Sequence, residues 1–360
     1  MFVLQFALFL LIYLALCYYI GYNGWVWLRE TFSFRYKKSY FALITLLSFS
    51  VFLDRLVSAR VLAYLGGVWM LIIGYGLILL PIVNILYFVL KKRGTKIFGW
   101  VIIAFFGFVF ALGSHNAWNP VVRTYEIEVD KATSQKELTV LMVSDLHIGK
   151  TVGKRHMERL VKISEERNPD IIMIAGDIID DYIEPYKDGN IGETMKKLKA
   201  PLGVYAISGN HDYYGDDLEA MHKEMEKANI ELLADEAVII QDGFYLVGRN
   251  DLTDRNRKSM KEIVRNLDKK MPIIMMDHQP DEITQASENG VDVLFSGHTH
   301  GGQVAPANII TNMIYENDWG YLQKGNLHSI VSSGFGLWGP PFRIGTQSEV
   351  VEIKIEFSSK

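Results

Sequence analysis

The chain has 360 residues and a formal net charge of -4, enough length for about two domains and too little charge to argue for a nucleic-acid partner; no basic, aromatic-laced groove pattern supports one either. Its single cysteine, Cys17, rules out an internal disulfide and a thiolate metal centre. Composition changes abruptly near residue 115, from almost wholly apolar to charged every few residues.

No charged residue occurs from Met1 to Leu28, a longer stretch than the ~20 apolar residues a membrane-crossing helix needs. A signal peptide requires a basic n-region and a small-residue cleavage site, and neither is evident, so this helix reads as uncleaved. Tyr40 to about Ser58 reads as a weaker second span, with Asp54 and Arg55 near its end. Val61 to Leu90 is a third, 30 residues without a charge, in which Gly66, Gly67, Gly74, Gly76 and Pro81 predict tilt, a kink or close helix contacts. Ile97 to about Gly113 is the fourth. Residues 1–117 are therefore expected to form a transmembrane anchor of about four helices, and residues 118–360 a separate polar domain.

Lysine and arginine set the expected orientation. Arg29, Arg35, Lys37 and Lys38 lie between spans one and two, and Lys91, Lys92, Arg93 and Lys96 between three and four, whereas the middle loop has only Arg55 and Arg60 beside Asp54. The positive-inside rule makes the first and third loops cytoplasmic. An even number of spans then puts both termini and the polar domain on the extracytoplasmic side of a multi-pass protein of the cell membrane. His115 and Asn116 read as interfacial polar residues where the last span surfaces, with guidance of a lipid-like substrate as the alternative. The spans lack paired intramembrane acidic or basic residues of the kind that mark ion pathways, so a transporter is not supported.

In the polar domain, apolar β-branched runs alternate with helix-patterned charged runs, the sign of a layered α/β fold. The expected strands are 138–143, 171–175, 203–207, 272–276, 291–295, 329–332 and 349–356, with a hairpin of 237–241 and 244–247 around Asp242-Gly243. The expected helices are 154–167, 191–199, 218–228 and 259–267. Thr31 to Ser39 and Asp181 to Gly189 are candidate mobile loops.

Five polar clusters stand at the carboxyl ends of five of these strands, where α/β sheets place ligands. They are Asp145 and His147, Gly176-Asp177, Gly209-Asn210-His211-Asp212, Asp277-His278, and His298 and His300; together they hold five of the nine histidines. Oxygen and imidazole donors without sulfur suit Mn, Fe, Zn or Co and argue against a structural zinc site. Seven candidate ligands, Asp145, His147, Asp177, Asn210, His278, His298 and His300, are too many for one ion and enough for two. Two divalent ions roughly 3.5–4 Å apart can share a hydroxide, polarise a phosphoryl oxygen and stabilise an in-line displacement. His211 followed by Asp212 has the pairing in which a carboxylate orients an imidazole, with helix capping as the other reading of Asp212. Asp277 reads either as support for His278 or as a strand-end hydrogen bonder. Arg343, in a rigid aromatic loop with Trp338, is a candidate for contact with substrate phosphate. His156, His222 and His328 read as structural or surface residues.

The order and spacing of these clusters resemble the calcineurin-like metallophosphoesterase family, from about Lys136 to Glu356. MMDHQPDEI, GVDVLFSGHTHGGQVAP and VSSGFGLWGPPFRIGTQSEVVEI resemble its bacterial membrane-associated branch. The resemblance implies a four-layer α/β/β/α sandwich with a dinuclear site. One ion would be held by Asp145, His147, Asp177 and His300, the other by Asp177, Asn210, His278 and His298, with Asp177 bridging. His211, free of metal, would stabilise the transition state and donate a proton to the leaving oxygen. The function expected is a membrane-anchored phosphoesterase attacking a phosphodiester or monoester with a metal-bound hydroxide. Lipid-linked and cell-envelope esters are the substrates within reach of such an anchor, and membrane lipid is its other partner. Two alternatives stand beside it: pyrophosphate cleavage of a nucleotide-linked lipid precursor, and a non-catalytic metal-binding scaffold or sensor. Oligomeric state is left open.

Overall fold

The computed structural model describes residues 2–56, 59–131, 133–241 and 243–358; Ser58, Asp242 and Lys360 lie outside the described residues. The chain divides into two compact units, Met1–Gly113 with Gly339–Pro341, and Ser114–Trp338 with Phe342–Lys360.

The first unit is helical: α1 (Phe2–Phe32), α2 (Lys37–Leu56), α3 (Arg60–Val89) and most of α4 (Thr95–Trp118). Among the described residues three helices, α1, α3 and α4, are long and apolar enough to cross a membrane. The expected second span, α2, opens on Lys37-Lys38 and carries Thr45, Ser48 and Ser50; the side chains of Asp54 and Arg55 near its end lie outside the described residues. Thr45 is exposed, whereas Ser48 and Ser50 are buried, and the Tyr13 hydroxyl donates to Ser48 O. Ile44, Leu47 and Val51 of α2 pack against Trp69 and Ile73 of α3.

The second unit continues with β1 (Val121–Val129), β2 (Glu137–Val143), α5 (Lys154–Arg167), β3 (Ile171–Ala175), α6 (Glu184–Asp188), α7 (Gly192–Met195), β4 (Val204–Ile207), α8 (Asn210–Tyr214), α9 (Leu218–Lys227), β5 (Glu231–Leu232), β6 (Glu236–Ile240) and β7 (Phe244–Gly248). Then follow α10 (Met260–Val264), β8 (Ile273–Met276), α11 (Ile283–Glu288), β9 (Val293–Ser296), a 3-10 turn at His300–Gly302, α12 (Ala307–Ile314), β10 (Gly320–Lys324), β11 (Leu327–Val331) and β12 (Glu349–Phe357). The strands form two six-stranded sheets, ordered β1-β12-β2-β3-β4-β5 and β10-β11-β9-β8-β7-β6. β2, β3 and β4 are parallel in the first, and β7, β8, β9 and β11 in the second.

Side chains alternate between the two faces of each strand, and here both faces are covered. Val140, Met142, Met173, Ile274, Met276 and Phe295 meet in the core between the sheets. The opposite face of the first sheet, with Leu141, Val143, Ile172 and Ile174, lies under Met157 and Leu160 of α5 and Met221 and Met225 of α9. The opposite face of the second, with Val247, Ile273, Met275 and Leu294, lies under Met260 and Val264 of α10 and Ile283 of α11. The layers therefore run α/β/β/α, and burial on both faces is why these strands read as continuous apolar runs. Two helices are shorter than expected: 191–199 holds only α7, and 259–267 only α10, capped by Ser259 accepting from Glu262 N–H. The expected mobile loop at 181–189 contains α6, anchored by buried Tyr186.

Candidate metal centre

Each polar cluster follows a strand directly, and the carboxyl ends of β2, β3 and β4 from one sheet meet those of β8 and β9 from the other. The chain must turn sharply there to bring side chains back over the sheet edge. Asp145, His147, Asp177, His298 and His300 all take positive φ, between 43° and 69°, a region costly for residues with a Cβ and frequent at functional sites. The turns are held by backbone bonds, Asp145 N–H to Gly176 O and His147 N–H to Asp177 O, both 3.0 Å. Gly176 is required by close approach, since a Cβ there would lie 2.5 Å from His278 Nδ1.

The donor atoms converge. Asp177 Oδ2 lies 3.1 Å from His278 Nε2 and 3.6 Å from His147 Nε2, and Asp145 Oδ1 lies 3.5 Å from His300 Nε2. His147 Nε2 and His300 Nε2 are 3.0 Å apart, and His298 Nδ1 is 2.8 Å from Asn210 Oδ1. Asp145, His147 and His300 form one group whose ligand atoms all lie within 4.8 Å of one another, and Asp177, His278 and His298 form a second. Asp177 also joins His147 and His211 in a third, so it stands between the two sets. All seven sequence-predicted ligands thus come together, in or beside these groups.

The residues fit divalent cations. His278 donates from Nδ1 to Ala175 O at 2.8 Å, which turns Nε2 toward Asp177; neither that buried nitrogen nor His147 Nδ1 has a well-aligned hydrogen-bond partner. Burial opposes ionisation of Asp177, yet His278 and His147 beside it hold its carboxyl well below the usual carboxylate range. Burial also disfavours a charged His278, and Asp177 outweighs it, raising that imidazole well above its ordinary value; the carboxylate thus draws positive charge to this point, and a cation there would displace the proton. For His300, burial and then the neighbouring His147 and Arg343 push in the same direction, well below the ordinary value, keeping it neutral as a ligand must be.

A family profile of calcineurin-like phosphoesterases matches residues 138–302, the stretch that contains all seven candidate ligands. An uncharacterized metallophosphoesterase of Aquifex aeolicus is 30% identical over 243 residues, covering 65% of this chain and 91% of that protein. The chain belongs to the metallophosphoesterase family. A Danio rerio transmembrane protein with metallophosphoesterase domain is 30% identical over 272 residues, 71% of this chain and 60% of its own length. An uncharacterized metallophosphoesterase of Helicobacter pylori is 28% identical over 242 residues, 66% of this chain and 64% of its own. The chain therefore spans less than two thirds of these last two relatives. Membership, the residue groups able to hold metal and the apolar helices together describe a membrane-associated metallophosphoesterase.

Within this metallophosphoesterase site the structure corrects two expectations. Asp212 does not orient His211. Neighbouring residues on a helix do not share a face, and Asp212 points back to accept from the N–H groups of Gly209, Ile179 and Ile178 at 2.8, 2.9 and 3.2 Å. It caps α8 and ties the β3 and β4 loops together; burial, then the Asp177 charge, raise its carboxyl to about 7. The partner of His211 is Asp181, with Oδ1 2.7 Å from Nδ1, while Asp180 Oδ1 lies 3.6 Å from His147 Nδ1. Sequence reasoning passed over both; the available signal was a pair of carboxylates three and four residues after Asp177.

Arg343 does not reach outward toward substrate. It is fully buried, donates to Gly334 O and Gly336 O at 3.1 and 2.9 Å, and lies 3.2 Å from His300 Nδ1, so it braces the loop behind that histidine. Burial lowers its guanidinium to about 10. Asp277 is buried in an ion network with Arg249 and Arg257, which also bind Glu282; this fixes the end of β8, from which His278 projects. Asn116 donates to Arg343 O at 3.2 Å, a part-buried contact. His156 is structural, 2.8 Å from Phe335 O.

Proposed function

We infer that the protein is a membrane-anchored phosphoesterase that works with two divalent cations. Asp145, His147, Asp177 and His300 would hold one, and Asp177, Asn210, His278 and His298 the other, with Mn, Fe, Zn and Co all suited to these donors. The observation that carries this reading is the position of Asp177 between two ligand groups, with buried imidazole nitrogens facing it. When bound, such ions polarise a phosphoryl oxygen and activate water at neutral pH.

The chain's own contribution to the reaction centres on His211. Its backbone N–H donates to Asp177 Oδ1 at 2.8 Å, which fixes the residue beside the bridging carboxylate. Its ring sits 4.8 Å from that of His147, at the edge of the cluster. Asp181 accepts from Nδ1, which sets the tautomer and orientation of the ring. Nε2 is then the atom that carries a proton to the departing ester oxygen. Tyr214 and Trp338, with ring centroids 5.1 and 6.2 Å from His211, are both more than half exposed and offer apolar walls to the substrate's alcohol portion. A phosphodiester or a monoester fits this scheme, including one borne on a lipid or envelope polymer. His211→Ala should keep the bound metal, measured by elemental analysis, and lose about 10²–10⁴ in turnover; unchanged turnover would remove His211 from this role.

The catalytic domain is assigned to the extracytoplasmic face of the cell membrane. Basic loops at 29–38 and 91–96 fall on one side only if α2 crosses the membrane together with α1, α3 and α4, and the burial of Ser48 and Ser50 of α2 supports that crossing. A reporter active only in the cytoplasm, fused at Lys360, should be silent; activity would reverse the assignment.

A further inference from the structure

In the catalytic unit, α12 breaks the ordinary pattern of a surface helix. Ile309, Ile310, Met313 and Ile314 are 59, 58, 81 and 66% exposed, and α12 buries none of its residues. At these spacings the four side chains form one contiguous stripe. The polar side is the one attached to the protein: the Thr311 hydroxyl and the Asn312 amide donate to the Asp318 carboxylate at 2.7 and 3.3 Å. The helix is therefore held with its apolar face outward. An apolar patch turned to solvent in this way marks an interaction surface.

The patch is joined to the site at both ends. The turn His300–Gly302 leads into α12, and Gly302 approaches it so closely that a Cβ would collide with the backbone of Asn308. At the other end Tyr315 caps the helix and sets its ring 6.3 Å from that of His298. Asp318, which holds the polar side of α12, also accepts through its backbone carbonyl from the Thr299 hydroxyl, between the two histidines.

We propose that α12 is a membrane-contact helix that lays the lip of the active site on the lipid surface. The occupant is argued from the chain itself. α4, a helix able to cross a bilayer, ends at Trp118, and β1 begins at Val121, so two residues separate a membrane span from the first strand of the catalytic sheet. Ala117 and Trp118 already pack in that domain's core. A lipid surface is thus within reach of this domain at all times, and a short amphipathic helix with large aliphatic residues on one face is the element that binds in the interfacial plane. Resting on the phosphoesterase reading, the consequence is a preference for phosphate esters presented from the bilayer over the same ester free in water.

The test uses the full chain in nanodiscs of phosphatidylglycerol and brominated phosphatidylcholine. Cys17 is replaced by serine, and a bimane label is placed at Met313→Cys or, as reference, at Glu219→Cys on α9. Bromolipid quenching at 313 well above that at 219 is expected; equal quenching at the two positions overturns the proposal, whether or not any ester is hydrolysed. A second variant, Ile309→Asn with Met313→Asn, should lower hydrolysis of a headgroup ester in the bilayer by about tenfold while sparing a water-soluble chromogenic ester. Equal loss on both esters would overturn the preference for bilayer-borne substrate. Quenching at 313 without hydrolysis of either ester would leave α12 on the membrane and count against the phosphoesterase reading alone.

Discussion

Asp277 and His278 are neighbours in sequence and belong to two buried polar clusters built on opposite rules. Asp277 joins Arg249, Arg257 and Glu282, where two guanidiniums meet two carboxylates at 2.5–3.0 Å and the charges cancel. His278 joins Asp145, Asp177, His147, His298 and His300, where lone pairs converge and buried nitrogens go unpartnered. The first cluster balances its charges internally, although Arg249 Nε is left without a partner, and holds a strand end in place. The second gathers donors that a cation would complete. Buried charge alone therefore does not mark a functional site; the presence or lack of internal complementarity does.

That contrast can be broken by substitution. Asp177→Asn should abolish stoichiometric metal binding and cost at least about a thousandfold in phosphoesterase activity, because both proposed ion sites would share this carboxylate; elemental analysis of the purified variant checks the first part, and retained metal would refute the bridging role. Arg249→Met should cost stability rather than metal. Leaving Asp277 and Glu282 without this partner destabilises by about 3–5 kcal/mol, readable as a lowered unfolding midpoint, and the folded fraction should still bind metal. A midpoint equal to wild type would erase the distinction between the clusters.

His156 sharpens the comparison as a buried imidazole outside both. Burial lowers it to about 4, below the value of an unfolded histidine, so the folded chain binds fewer protons between pH 6.5 and 4. Its contribution is fully present above pH 6.5 and lost as pH falls toward 4, roughly 3 kcal/mol in all. A His156→Gln variant should show a shallower loss of stability across that window, and an identical slope would contradict the assignment. Asp181→Asn is the mildest case. It should leave metal content unchanged and slow turnover about 10–100-fold, the usual cost of losing a carboxylate that orients an imidazole; loss of metal instead would make Asp181 a ligand.

The sequence was most legible where burial was simplest. Strands 138–143, 171–175 and 272–276 are covered on both faces, so each is an apolar run, broken only by Thr139 in the first, ended by a polar cluster, and the seven candidate ligands follow from that punctuation. β1 was missed because Arg123, Glu126 and Glu128 interrupt it: its neighbour in the sheet is β12 alone, and its charged residues are partly solvated. β10 hid for a similar reason, pairing only with β11. The error over Asp212 came from equating adjacency in sequence with adjacency in space, while Asp181 reaches His211 across 30 positions by a turn with φ of 67°. Arg343 illustrates a further limit. A guanidinium in an aromatic loop looks like a phosphate contact until the carbonyls of Gly334 and Gly336, brought near by loop closure, are seen to occupy it.

The measurement that tests the central claim most directly is hydrolysis of a chromogenic phosphodiester and its monoester by the purified full chain, before chelation, after chelation and after return of Mn²⁺. The account predicts turnover that disappears on chelation, returns with metal and is absent from Asp177→Asn. Turnover indifferent to chelation and to Asp177, or a metal-loaded protein that cleaves neither ester in water or on a bilayer, would contradict it.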